Sequence, residues 1–370
     1  MLLAMLARAY RFDLIEGRPS APCGPFHPAR CQWDLAKHHA ALTVAITSPM
    51  PLCSLVLLAY AAKKAQLEKG GFTMFDMFQD MRTRIMTDAG FIAALDQSGG
   101  STPKALALYG ITEDAYSSEA EMFALMHQMR ARIIMARDFT AEKILGAILF
   151  ERTMRDTING TPVAELLWRD KGVVPFLKID KGLEETRDDV QLLKPISGLT
   201  ALLSDARAFG VFGTKERSVI HAANAGGIEA VVAQQFDLAA EVCAAGLVPI
   251  IEPEVNIHAD TKSEAETLLR DAIARHLDQL AVGHEVMLKL TIPNEAGLYD
   301  GLADHPCVLR VVALSGGYST DDACARLSQN PKMIASFSRA LTEGLNVAQS
   351  DAEFNAALGA NIDKIYRASL

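Results

Sequence analysis

Three lysines interrupt runs that are otherwise apolar: Lys178 in F-L-K-I-D, Lys215 in F-G-T-K and Lys289 in M-L-K-L-T. Burying an ammonium is costly unless it is paired or neutral, so three such placements point to chemistry more than to surface charge. A neutral lysine amine condenses with a ketone, and the protonated imine stabilises a carbanion on the adjacent carbon. To attack, the amine must lose its proton, so its pKa has to fall from ~10.4 toward neutrality; burial and a second nearby cation both push it down. Such chemistry also needs a group to carry protons. Glu252 and Glu254, in I-E-P-E, supply a carboxylate pair, and two carboxylates among lysines can hold different protonation states. Asp96 closes the run F-I-A-A-L-D, and Arg217 lies two residues beyond Lys215. The residues alone leave open which of the three lysines is the nucleophile.

A second set of residues suits anion binding. Ser315-Gly316-Gly317 is a short turn whose backbone N–H groups can cradle a phosphate, and Ser336 with Arg339 adds a hydroxyl and a bidentate cation. Ser98-Gly99-Gly100-Ser101, with Lys104 at a helix start, is a second such group. Two anion groups, expected on opposite sides of one site, point to a bisphosphate. Rival chemistries lack their signatures. No G-x-G-x-x-G follows an apolar run, the nine histidines form no H-E-x-x-H, and the six cysteines form no C-x-x-C pair. His258 is one histidine where a metal site needs several ligands. No cofactor and no metal are expected.

The elements that must carry these residues repeat from residue 91 onward: a short run rich in Ile, Val, Leu and Phe, then a longer amphipathic stretch. The runs are 91–95, 144–150, 173–179, 211–214, 247–251, 285–290, 308–314 and 333–337. Helical spacing of apolar residues fills the intervals, for example over 227–246 and 263–280. Near-continuous apolar strands fit a parallel sheet covered by helices, and eight of them select a closed (β/α)8 barrel, an α/β fold, over an open sheet. In such barrels the site lies at the carboxyl ends of the strands. Asp96, Lys178, Lys215, Glu252, Lys289, Ser315 and Ser336 all fall there.

The chain of 370 residues exceeds the ~250 of a typical barrel. Its first 70 residues hold eight Lys/Arg against four Asp/Glu and include a Pro-rich run, so the remainder carries −13 once this +4 is taken from the net −9. The apolar run over 40–62 contains Pro49 and Pro51, which argues against a stable membrane span. Residues 1–73 are therefore expected to be a poorly ordered, non-catalytic extension and 74–370 the barrel. The acidic balance gives no reason to expect a nucleic-acid partner. A cytoplasmic location is expected, with an organelle as the alternative if the extension is a transit segment.

Seven segments taken in order, F-I-A-A-L-D-Q-S-G-G-S-T-P-K, F-L-K-I-D-K-G, F-G-T-K-E-R-S-V-I, V-P-I-I-E-P-E-V, V-M-L-K-L, V-V-A-L-S-G-G-Y-S and I-A-S-F-S-R-A-L, resemble class I fructose-bisphosphate aldolase, in its bacterial-type branch, over about residues 90–368. The resemblance implies reversible cleavage of fructose 1,6-bisphosphate to dihydroxyacetone phosphate and glyceraldehyde 3-phosphate. It also implies roles: Lys289 as the Schiff-base lysine, Glu252 as proton acceptor, Asp96 at the hydroxyl of the bond being cleaved, Lys215 beside the imine and Lys178 as a substrate and phosphate contact. Ser315, Gly316 and Arg339 would bind the ketose 1-phosphate. The chain departs from the animal branch at Gln97, at Gly99 and at Ser338, where that branch has Glu, Thr and Gly; Tyr366 stands four residues from the end. Two other functions compete: a different Schiff-base or transaldolase-like barrel, which needs one phosphate site, and a non-catalytic binding protein on an aldolase scaffold. The sequence leaves open a homo-oligomer.

Overall fold

The computed structural model describes residues 73–98 and 101–370. The extension through residue 72, with the expectations attached to it, and Gly99 and Gly100 lie outside the described residues. Eight parallel strands run in chain order around a (β/α)8 barrel: β1 (Phe91–Leu95), β2 (Ile144–Leu149), β3 (Val174–Lys178), β4 (Gly213–Ile220), β5 (Val248–Val255), β6 (Val286–Thr291), β7 (Val308–Leu314) and β8 (Met333–Ala335). Helix α1 (Met74–Thr87) precedes β1, and the outer helices include α2 (Ser101–Leu108), α3 (Glu119–Met135), α4 (Ala225–Ala244), α5 (Lys262–Asp278) and α6 (Asp351–Ala368). No described helix is long and apolar enough to cross a membrane.

Each apolar run becomes a strand, but β4 and β5 continue well past the runs that predict them. The two pair residue for residue from Gly213↔Val248 to Ile220↔Val255. A ladder needs only backbone groups, and here the side chains alternate between polar residues facing the barrel axis and residues facing the helices. Lys215, Arg217, Glu252 and Glu254 therefore lie within strands, not in the loops after them.

Period-two alternation also divides the barrel into layers. Ile92, Val174, Phe176, Ile250, Met287, Val312 and Ile334 fill the interior as one buried cluster. Further along each strand the same face presents Asp96, Lys178, Lys215, Glu252, Lys289 and Ser336. The interior is thus apolar below and ionisable at the carboxyl end. Phe176 fits because its neighbours are small: a Cβ on Gly146 would lie 2.9 Å from the ring, and one on Gly213 would lie 3.0 Å from it.

Helix α1 closes the apolar end. Met81 and Ile85 are fully buried in the interior cluster, worth ~1.5–3 kcal/mol each relative to exposure. Arg82 Nε donates to Glu285 Oε2 at 2.6 Å, and Arg310 donates to the carbonyls of Ile85 and Asp88 at the helix end. Thr73 caps α1 in a capping box with Asp76, so the folded unit includes Thr73, one residue before the expected boundary.

The barrel closes differently between its last and first strands. Among the described residues no ladder pairs β8 with β1. The Ala335 N–H instead donates to Ser369 Oγ at 2.9 Å, from the chain end beyond α6. Tyr366, on α6, packs against the outer core.

Candidate active site

Four side chains converge at the mouth. Lys215 reaches across from β4 to put Nζ 2.7 Å from Asp96 Oδ2, beyond β1, and 2.9 Å from Glu252 Oε2 on β5. The other oxygen of Glu252 lies 3.0 Å from Lys289 Nζ on β6. One carboxylate thus bridges two lysines, with a separate oxygen for each. All four side chains are at least about nine-tenths removed from solvent, and Asp96 is the most exposed at 12%.

The electrostatics distinguish the lysines. Burial works against the charge on Lys215, but Asp96, Glu252 and Asp180 outweigh it and hold the ammonium well above the usual lysine range. Burial likewise opposes the Asp96 charge, and Lys215, Lys289 and Lys178 overcome it, holding that carboxyl well below the usual range. Lys178 moves the other way: burial pushes it down, opposed by Asp180 and aided by the Lys215 charge. Its Nζ donates to the Asp180 side chain and, at 3.1 Å, to the Asp180 carbonyl. Lys215 is therefore a fixed cation, while Lys289 touches a single carboxylate oxygen.

These shifts set a pH window. A carboxyl with a depressed folded pKa stabilises above its unfolded value, ~3.9, and loses that contribution as pH falls through the folded value. A lysine with a raised folded pKa stabilises below ~10.4 and loses it as pH rises through the folded value. The Asp96–Lys215 pair therefore acts fully between about pH 4 and 10.4. Asp96→Asn is expected to lower stability by about 1–3 kcal/mol near neutrality, with the gap to wild type still open at pH 4. Urea midpoints from pH 7 to 3.5 measure this, and a gap already closed at pH 5 contradicts the pairing.

A second cluster lies on the β3–β5 side. Arg217 Nη1 is 2.7 Å from Glu254 Oε2, and its backbone N–H donates to Asp180 Oδ2 at 3.3 Å. Glu254 thus holds a guanidinium, while Glu252 holds the lysines. Glu216, between Lys215 and Arg217, faces away from the mouth; burial, then the Asp180 charge, holds its carboxyl far above the usual range.

The phosphate-type group after β7 and β8 also assembles. Gly316 and Gly317 have φ of 59° and 125°, which L side chains rarely adopt. A Cβ on Gly317 would lie 3.8 Å from Arg339 Nη2, so turn and guanidinium share one site. A Cβ on Gly316 would meet Ile257 at 2.7 Å. Ser336 Oγ is buried with no hydrogen-bond partner in the protein, and Ser315 is half-buried just beyond β7.

The group after β1 stands elsewhere than expected. Because β1 lies beside β8, Ser98, Ser101 and Lys104 border the same seam as Arg339 and do not face it from the opposite side. Ser101 Oγ donates to the Ser98 carbonyl at 2.8 Å and accepts from the Ser98 N–H at 3.0 Å. Lys104 is exposed, and the glycines between the serines lie outside the described residues.

Sequence reasoning missed Arg130 of α3. It is 2% exposed, donates to Thr153 Oγ1 at 2.8 Å and to the Gln97 carbonyl, and so backs the segment that carries Asp96. The signal was present: Arg130 occupies the buried stripe defined by Met126 and Ile133, four residues after one and three before the other. The departures at Gln97 and Ser338 turn out to touch each other.

Fold and site together define a (β/α)8 barrel with its ionisable groups gathered at the carboxyl mouth, the arrangement of barrel enzymes. The chain belongs to the class I fructose-bisphosphate aldolase family. The family model described as fructose-bisphosphate aldolase class-I matches residues 78–296. The chain is 56% identical over 292 residues to the fructose-bisphosphate aldolase class 1 of Synechocystis sp., which covers 79% of this chain and 97% of that protein. It is 54% identical over 294 residues to that of Clostridium acetobutylicum, covering 80% of this chain and 100% of the relative. The Porphyromonas gingivalis protein of that name is 54% identical over 281 residues, 76% of this chain and 95% of the relative. Among solved structures, fructose-bisphosphate aldolase from Plasmodium falciparum superposes with a TM-score of 0.62 at 20% identity, covering 80% of this chain and 95% of that one, a likeness of fold.

Proposed function

We propose that the chain cleaves fructose 1,6-bisphosphate reversibly to dihydroxyacetone phosphate and glyceraldehyde 3-phosphate through an imine on Lys289. The observation that carries this reading is the bridge of Glu252 between Lys289 and the fixed cation Lys215. The Lys289 amine adds to the C2 carbonyl, and loss of water, with Glu252 moving the proton, gives the protonated imine. Asp96 takes the C4 hydroxyl proton, the C3–C4 bond breaks, and its electrons pass into the iminium as the aldehyde departs. The enamine is then protonated at C3, and hydrolysis frees the second product. Lys215 stays charged and stabilises the oxyanions that form beside it.

Arg339 with the Ser315–Gly317 turn suits the 1-phosphate, and the buried, unpartnered Ser336 hydroxyl lies on the same side. The 6-phosphate falls to the β3–β4 side, where Lys178 and Arg217 stand, while Ser98, Ser101 and Lys104 border the seam beside Arg339. Trapping tests the reading: borohydride with dihydroxyacetone phosphate should leave a reduced adduct on the Lys289 peptide, and cleavage should survive a chelator. An adduct on Lys178 or Lys215, or none, overturns the assignment.

We place this chemistry in the cytoplasm and outside residues 1–72. A chain beginning at Phe72 keeps the Thr73 cap, worth ~1 kcal/mol. It should retain kcat/KM within about twofold; a tenfold loss in steady-state assay would give the extension a catalytic part.

A further inference from the structure

We infer that Gln97 and Ser338 form a latch across the β8–β1 seam that positions Arg339 for the substrate phosphate; this rests on the function proposed above. Gln97 Nε2 donates to Ser338 Oγ at 2.7 Å, joining positions 241 residues apart. The seam carries no ladder among the described residues, so this side-chain bond ties the two strand ends where the backbone does not. Gln97 directly follows Asp96, and Ser338 directly precedes Arg339. The latch therefore links the segment holding the cleavage carboxylate to the segment holding the phosphate cation.

Two further observations show that the bond is built. Ser338 stands at the N-cap of the short helix Arg339–Thr342, where a serine hydroxyl ordinarily accepts from the helix's own N–H groups. Here it makes no such bond and is turned to Gln97 instead. On the other side, the Gln97 carbonyl accepts from Arg130, whose second nitrogen is fixed on Thr153. Gln97 is thus clamped at its backbone, and its amide, whose Oε1 accepts from Arg130 and whose Nε2 also donates to the Ala94 carbonyl, both at 3.5 Å, makes its short bond to Ser338. Because that amide is neutral, it orders the Arg339 segment without offering a carboxylate that would compete with phosphate for the guanidinium.

Gln97→Leu, Ser338→Ala and the double variant test this. Each single change should raise KM about five- to tenfold for fructose 1,6-bisphosphate and for fructose 1-phosphate, the loss of one partly buried hydrogen bond, with kcat within about twofold. The double variant should be no worse than the weaker single, since both remove one bond, and Ser338→Thr, which keeps the hydroxyl, should restore KM. Half-saturation of borohydride trapping should rise for dihydroxyacetone phosphate but not for unphosphorylated dihydroxyacetone. Unchanged KM in both singles, additive effects in the double, or equal losses for phosphorylated and unphosphorylated ligands would falsify the latch. Wild-type trapping at Lys289 separates the outcomes: its failure removes the functional reading, whereas its success with indifferent variants removes the latch alone.

Discussion

Lys289→Met is expected to lose the reducible adduct and to lower kcat/KM by roughly four orders of magnitude or more, the scale on which removal of a covalent nucleophile is felt. The geometry explains why this lysine and not its neighbours. Lys215 contacts two carboxylates and stays an ammonium, so it has no lone pair to donate. Lys178 is engaged by Asp180 from side chain and carbonyl together. Lys289 has one carboxylate oxygen at 3.0 Å, the group to which the proposed function gives the proton transfer. Methionine matches the lysine stem in length and leaves Glu252 still paired with Lys215, so the variant should still fold, with its thermal midpoint lowered because two buried carboxylates then share one cation, a cost far smaller than the loss of activity. Activity and stability should therefore part company. An adduct that persists in the variant must sit on another lysine, and would sink the assignment.

How far the sequence discloses this site depends on the distance over which each feature is encoded. The strands were legible because a barrel strand covered on both faces reads as a continuous apolar run. The same criterion cut β4 and β5 short, since their inward residues turn ionisable at the mouth while the ladder continues. The lysines were legible as anomalies, yet nothing local ranks them. What ranks them is a set of contacts across the barrel, such as Asp96 with Lys215, that no spacing in the chain expresses. Barrel closure is the feature that spacing along the chain expresses least. The first and last strands of a barrel are neighbours, so the serines after β1 and Arg339 after β8 share a seam although they are far apart in sequence. Arg130 belongs to a middle category, a charge on the buried stripe of an amphipathic helix, visible in the sequence but mute about its partner until Gln97 is placed beside it.

Glu252→Gln should separate binding from turnover. The amide keeps the shape of the carboxylate but neither its charge nor its capacity to take a proton, and general acid–base groups typically contribute about 10²–10⁴-fold. A loss in kcat of that size is expected, together with an adduct on Lys289 that still forms on longer incubation, because the nucleophile is untouched. Stability should fall as well. Two buried lysines share this carboxylate, and in the variant Lys215 keeps Asp96 while Lys289 keeps no ion-pair contact; breaking a buried ion pair from one side costs about 3–5 kcal/mol. The two consequences can be told apart by rate at fixed folded fraction: urea titration gives the population, and single-turnover cleavage of trapped-competent enzyme gives the chemistry. If cleavage per folded molecule matches wild type, Glu252 is a structural bridge between lysines and the proton must travel by another group. If instead the adduct forms but cleavage stalls, the glutamate carries the proton, and its two oxygens explain how one residue serves both the imine lysine and the cation beside it.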